Sequence, residues 1–150
     1  MRAGLPAAVF IMCTAVAAIS LAAAEGSLAG RWITYDAAGK QKRSVIEIVV
    51  TGSDAKGRIT ELYLQPGEDA DPVCHDCPGD ARNRKIRGLE ILALRADPSG
   101  GSWHGTVLDP EEGRVYKCVA KLAPDGKRLE LRGYVGFEIF GRSEVWSRGD

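Results

Sequence analysis

The distribution of apolar and polar positions splits the chain into two unlike parts. From Leu5 to Leu21 it is apolar, with small breaks at Thr14 and Ser20, whereas beyond residue 24 almost nothing keeps a helical period. Short runs rich in β-branched and aromatic residues there alternate with Gly, Asp and Pro, the pattern of an all-β sandwich or barrel. The runs predict strands over 31–35, 44–51, 58–64, 88–95, 102–108, 114–122, 128–134 and 142–148. Between them stand breaks such as Asp36-Ala37-Ala38-Gly39, the turn from Gly52 to Gly57, and the hairpin signal Pro124-Asp125-Gly126. Gly133, Gly136 and Gly141 punctuate the approach to the last strand as bulges or corners. The expected fold is all-β: an antiparallel barrel of about eight strands.

Residues 65–85 interrupt the rhythm. They hold Pro66, Pro72, Pro78, Gly67, Gly79 and the pair Cys74 and Cys77, which predicts a long loop. Its acids (Glu68, Asp69, Asp71, Asp76, Asp80) precede its bases (Arg82, Arg84, Lys85), as in a surface segment that compensates its own charge.

Alternation also sets a register. In 114–122, Tyr116, Cys118, Ala120 and Leu122 share one face, and Lys117 and Lys121 mark the other as wet. A four-residue loop at 110–113 pairs Val107 with Tyr116, Gly105 with Cys118 and Trp103 with Ala120, turning Trp103 and Cys118 into the core. A five-residue loop would set His104 opposite Cys118 instead. A slip by one residue exchanges the faces, and burying tryptophan is favoured over burying histidine, so the first register is expected.

The apolar opening carries Arg2 before it and Ala22-Ala23-Ala24 after it, the form of a secretion signal cut before Glu25. An uncleaved membrane anchor is the rival reading, disfavoured by the alanine richness and the small-residue exit. Phe10-Ile11-Met12 before Cys13 lacks the small residues of a lipoprotein site. The expected organisation is a signal over 1–24 and one barrel domain over 25–150, exported to the periplasm with no stable membrane anchor after cleavage. Composition adds that 20 Lys and Arg balance 20 Asp and Glu. Arg2 is the leader's one charge, so the remainder lies within one charge of neutral and offers no electrostatic case for nucleic acid.

Several residues form an ordered set: Gly30-Arg31-Trp32, the Cys74-x-x-Cys77 pair, Trp103-x-Gly105-x-Val107-x-Asp109-Pro110-x-x-Gly113-x-x-Tyr116, Arg132-Gly133-Tyr134-x-Gly136, and Gly141-Arg142-x-x-x-Trp146. Together they resemble the exported bacterial family catalogued as domain of unknown function 2147, across essentially the whole chain after the leader. The resemblance implies a cell-envelope location and a lipocalin-like β-barrel, and no established activity. Gly30-x-Trp32 also resembles the start of lipocalin-type barrels, where a first-strand tryptophan plugs one end beneath an arginine of the last strand. Arg142 or Arg148 would take that part here, guanidinium stacking on indole while its donors stay free.

Candidate chemistry is sparse. Cys74-His75-Asp76-Cys77 reads as a disulfide in an oxidising compartment. A redox pair should open a helix, yet Pro78-Gly79 follows, and a zinc site would need ligands beyond a cramped His75. Cys118 with His104 makes a nucleophile–base pair only if the register slips. Asp69 and Asp71 begin like a calcium loop, but Val73 stands where an oxygen ligand is needed. No catalytic or metal constellation and no cofactor is implied. The aromatics Trp32, Tyr35, Tyr63, Trp103, Tyr116, Tyr134 and Trp146 remain, as core packing or, in a barrel not fully filled, as the lining of a pocket.

Two functions stay open. One is a binding module holding a small apolar ligand in the barrel, with Trp32, Trp103, Tyr116, Tyr134, Arg142, Trp146 and Arg148 as pocket or barrel-end residues. The other is a solid-core envelope protein whose 65–85 segment meets a protein partner. An interior void of several hundred Å³ favours the first.

Overall fold

The computed structural model describes residues 26–150; the expected leader over 1–24 and the cut before Glu25 lie outside the described residues. Ten strands form in order: β1 (Gly30–Tyr35), β2 (Lys42–Thr51), β3 (Asp54–Leu62), β4 (Val73–Cys74), β5 (Arg84–Lys85), β6 (Glu90–Ala96), β7 (Trp103–Asp109), β8 (Arg114–Leu122), β9 (Arg128–Tyr134) and β10 (Arg142–Arg148). Eight of them close into an antiparallel barrel in the order β1-β10-β9-β8-β7-β6-β3-β2, while β4 and β5 pair apart. Closure follows from the sequence because every barrel strand except β10, which turns Arg142, Glu144, Trp146 and Arg148 inward, carries small or aliphatic residues on its inward face, and joining first strand to last removes the exposed edges.

The seam between β1 and β10 is short, pairing Trp32 with Arg148 and Ile33 with Ser147. Between β7 and β8, Trp103 lies opposite Ala120, Gly105 opposite Cys118 and Val107 opposite Tyr116, the register of the four-residue loop. Trp103 is nevertheless only half-buried, because it is the first residue of β7 and packs on the core from the barrel's rim. Asp54 to Gly57, expected in a turn, belong to β3: the hairpin is Gly52-Ser53 alone, with Gly52 at φ 61°. A glycine in that conformation at the first turn position suits a two-residue connection.

The segment expected as a plain loop over 65–85 is built instead. Beyond β4 and β5 it contains a 3₁₀ turn at Gly79–Ala81 and is fastened by a Cys74–Cys77 disulfide whose sulfurs are fully buried. Ala81 and Ile86 pack on the core, and Cys74 Sγ lies 3.2 Å from the Pro110 carbonyl. Gly113 meets the Asp76 backbone so closely that a Cβ there would lie 2.4 Å from it. Half the charge compensation is internal, Lys85 with Asp71, while Glu68 reaches out to Arg43 of β2 at 2.9 Å.

Candidate functional site

Strand direction gives the barrel two different ends. At one end lie the Gly52-Ser53 turn, the β6–β7 and β8–β9 connections and the segment before β1; at the other lie the β1–β2, β3–β6, β7–β8 and β9–β10 connections.

The first end is sealed. Trp32 has no exposed surface and its indole N–H donates to the Leu28 carbonyl at 2.8 Å. The Arg148 guanidinium stacks over that ring, 4.3 Å from its centroid. Its nitrogens donate to the carbonyls of Gly126, Ala29 and Ser27 at 2.6, 3.0 and 2.8 Å. A planar cation can do both at once, which a lysine could not. Gly30 is needed at this point: its φ is 125°, and a Cβ would lie 2.9 Å from Arg148 Nη1. Arg142, the other candidate for the cover, is excluded by topology. It begins β10 opposite Gly133, whereas Arg148 ends the strand opposite Trp32, six steps or roughly 20 Å along.

The opposite end is open, and a cavity of about 1060 Å³ descends from it into the barrel. Ile59, Ile91, Val107, Leu131 and Trp146 give it apolar walls and floor. Gly133 faces it as well, and a Cβ there would find only ordinary contacts at 3.7 and 3.8 Å, so this glycine leaves space. Most charges stand at the rim, where Arg43 is held between Glu68 and Glu111 at 2.9 Å each with Arg142 and Glu112 nearby; Glu144 lies deeper, level with Leu131. Those two carboxylates raise the Arg43 pKa, first through the hydrogen bond with Glu111 and then through that with Glu68. Deeper polar groups satisfy one another. Trp146 donates to Glu144 at 3.2 Å, the Thr34 and Ser44 hydroxyls bond at 2.7 Å, and Tyr116 bonds Glu112.

The sequence-derived candidates therefore fall into separate places. Trp32 and Arg148 meet at the sealed end, with Trp103 on its rim; Trp146 floors the cavity; Tyr116, Tyr134 and Arg142 line its upper part. Cys74 and Cys77 fasten the β3–β6 segment beside the β7–β8 connection. Cys118 points inward, buried, and burial alone pushes its thiol up to about 12. His104 lies on the outer face, 3.2 Å from Asp97, so the two form no catalytic pair. Among the described residues no group of three His, Cys, Asp or Glu side chains could hold a metal, and no helix is long and apolar enough to cross a membrane.

Sequence reasoning missed the aliphatic walls, Ile59, Ile91 and Leu131, and it missed the β9–β10 connection, where Val135, Phe137, Ile139 and Phe140 are all 72–79% exposed. The signal was present: a run of large apolar residues between glycines, where a turn should be polar.

A closed eight-stranded barrel with one plugged end and one open cavity is a lipocalin-like architecture. The chain belongs to the family described as "Uncharacterized protein conserved in bacteria (DUF2147)", which matches residues 30–148. Among solved structures it is similar to a Helicobacter pylori protein described as HP1028, belonging to the lipocalin family. The TM-score is 0.66 at 18% identity, over 83% of this chain and 84% of that one, a likeness of fold. No curated protein matches the sequence.

Proposed function

We propose that this protein is an exported binding module of the bacterial envelope, a single barrel domain over 25–150 once residues 1–24 are removed, holding a small apolar ligand. One observation carries the reading: the cavity of about 1060 Å³, walled by aliphatic side chains and floored by Trp146, with its charges at the rim apart from Glu144. Ligand sites are of this size and pattern, and binding there draws on the removal of apolar surface from water. A solid interior would have favoured the alternative, an interaction protein acting through 65–85; the cavity favours the ligand. The lipocalin-like fold supports the same reading. The buried disulfide suits an oxidising compartment, for which we propose the periplasm. No catalytic role is assigned: a thiol pushed up to about 12 is a poor nucleophile at neutral pH, and His104 is on the other face of the sheet.

Gly133→Leu tests the proposal. The position has ordinary backbone angles and room for a side chain, so the variant should stay within about 1 kcal/mol of the native stability while its side chain projects into the cavity. Binding of an uncharged apolar fluorophore such as N-phenyl-1-naphthylamine should weaken by at least about tenfold. Equal binding by a folded Gly133→Leu variant would place the probe elsewhere and remove the proposal's support.

A further inference from the structure

Among the described residues the β9–β10 connection is the most apolar exposed segment, and it is built to stay exposed. Val135, Phe137, Ile139 and Phe140 make up half of the large apolar side chains that reach solvent among the described residues, and they stand together at the open end. Their backbone is held in one shape. The amides of Phe140 and Gly141 bond to the carbonyls of Phe137 and Glu138 at 3.1 and 3.0 Å. From beneath, Arg132 donates to the carbonyls of Glu138 and Ile139 at 2.9 and 3.1 Å and to the Ser143 hydroxyl at 3.0 Å. A Cβ on Gly141 would lie 2.5 Å from the Gly133 carbonyl, so the base of the tip sits tight against β9. The result is a braced apolar tip, and such a patch marks an interaction site.

We propose that residues 135–140 dock the protein on a phospholipid bilayer, inserting Phe137 and Ile139, so that an apolar ligand passes between membrane and cavity. Two features favour a bilayer over a protein partner. A stable protein contact takes roughly 20–30 residues a side, and a single protruding connection offers far fewer. The tip is also continuous with the cavity: Val135 and Phe140 line its mouth while Phe137 and Ile139 do not, so one apolar surface runs from the tip inward. An apolar molecule crossing along it would avoid water. The neighbouring charges are mixed, with Arg132 and Arg142 against Glu138, Glu144 and Glu112, and the whole chain is balanced. Docking is therefore driven by apolar insertion into zwitterionic lipid, and an anionic surface adds nothing. Ligand passage rests on the ligand-binding reading; docking does not.

The test uses Phe137→Trp with phosphatidylcholine vesicles carrying nitroxide-labelled acyl chains, and Val49→Trp, on the outer wall of β2, as the control. Quenching is expected for Phe137→Trp beyond that of the native protein and absent for Val49→Trp, unchanged by added anionic lipid or salt. In flotation assays, Phe137→Ser/Ile139→Ser should lower vesicle binding by at least about tenfold while apolar probe binding persists. No added quenching, equal quenching at both positions, or binding only to anionic vesicles would overturn the proposal. So would self-association that the double variant abolishes, since it would assign the tip to a second copy. Probe binding without docking would fail this inference alone, and docking without probe binding would fail the ligand reading alone.

Discussion

At the scale of single residues, the sealed end depends on Trp32 and Arg148 as a coupled pair. Trp32→Ala removes a wholly buried indole and should cost about 3–5 kcal/mol. Arg148→Ala loses the stacking and leaves three carbonyls without a donor, for about 2–3 kcal/mol. Because the two side chains touch, the double variant should cost less than the sum of the singles, as urea melts of the four proteins would show. Additive losses would mean that the stacking contributes nothing of its own. Much of this end was legible in the sequence, since Gly30-x-Trp32 and an arginine-flanked final strand point to it. Which arginine was not legible: Arg142 and Arg148 share one face of β10, and only the pairing of β1 with β10 decides between them.

Cys118 adds an alkaline prediction at the same scale. Its folded pKa is raised from an ordinary 9.0 to about 12 by burial. The native state therefore keeps the proton that the unfolded chain gives up, and this contribution is full below pH 9 and is lost as pH rises from there through about 12. Stability should fall over that range in the native protein and fall less in Cys118→Ala. Equal slopes would place Cys118 in water. Native alkylation at neutral pH should likewise be slow.

At the scale of elements, aspartates organise the hairpin connections. Asp36 accepts the amides of Lys40 and Gln41 at 2.7 and 3.1 Å, Asp97 that of Ser99 at 2.8 Å, and Asp125 that of Lys127 at 2.9 Å. These bonds favour the ionised form, for Asp97 led by the Ser99 hydroxyl, and hold all three carboxyls below 3.8. Their contribution is present above that value and lost as pH falls below it, so the turns should loosen in acid. Hydrogen exchange at Gln41, Ser99 and Lys127, compared between pH 6 and about 3 after correction for intrinsic rates, reads this directly. Such turns were legible because Asp, Gly and Pro act locally. The β3–β6 segment was not, because its order comes from contacts distant in sequence: the Cys74–Pro110 approach, Asp76 against Gly113, and Ile86 on the core. Replacing both Cys74 and Cys77 with serine should cost about 1–2 kcal/mol, since the ring is short. Proteolysis should then cut within 65–85 before the barrel unfolds; simultaneous loss of both would make the segment part of the barrel's cooperative core.

At the scale of the whole molecule, alternation along each strand dictated an inside and an outside, and the expected count of strands followed from their spacing. Whether the inside was full did not. Interior volume depends on the sum of inward side chains at each level of the barrel. Trp32 and Arg148 fill one end, while Gly133 and the aliphatic side chains around it leave the other open. The strand pattern is the same in either case, so the cavity appears only when all eight strands are assembled. Its role as a ligand site is the central claim, and native mass spectrometry of protein purified from its own cell envelope tests it most directly. The expected result is a native mass above the polypeptide's by on the order of a few hundred daltons, the size such a cavity holds, lost on denaturation and recovered in organic extract. A native mass equal to that of the bare chain, in protein that also fails to take up apolar probes, would contradict it.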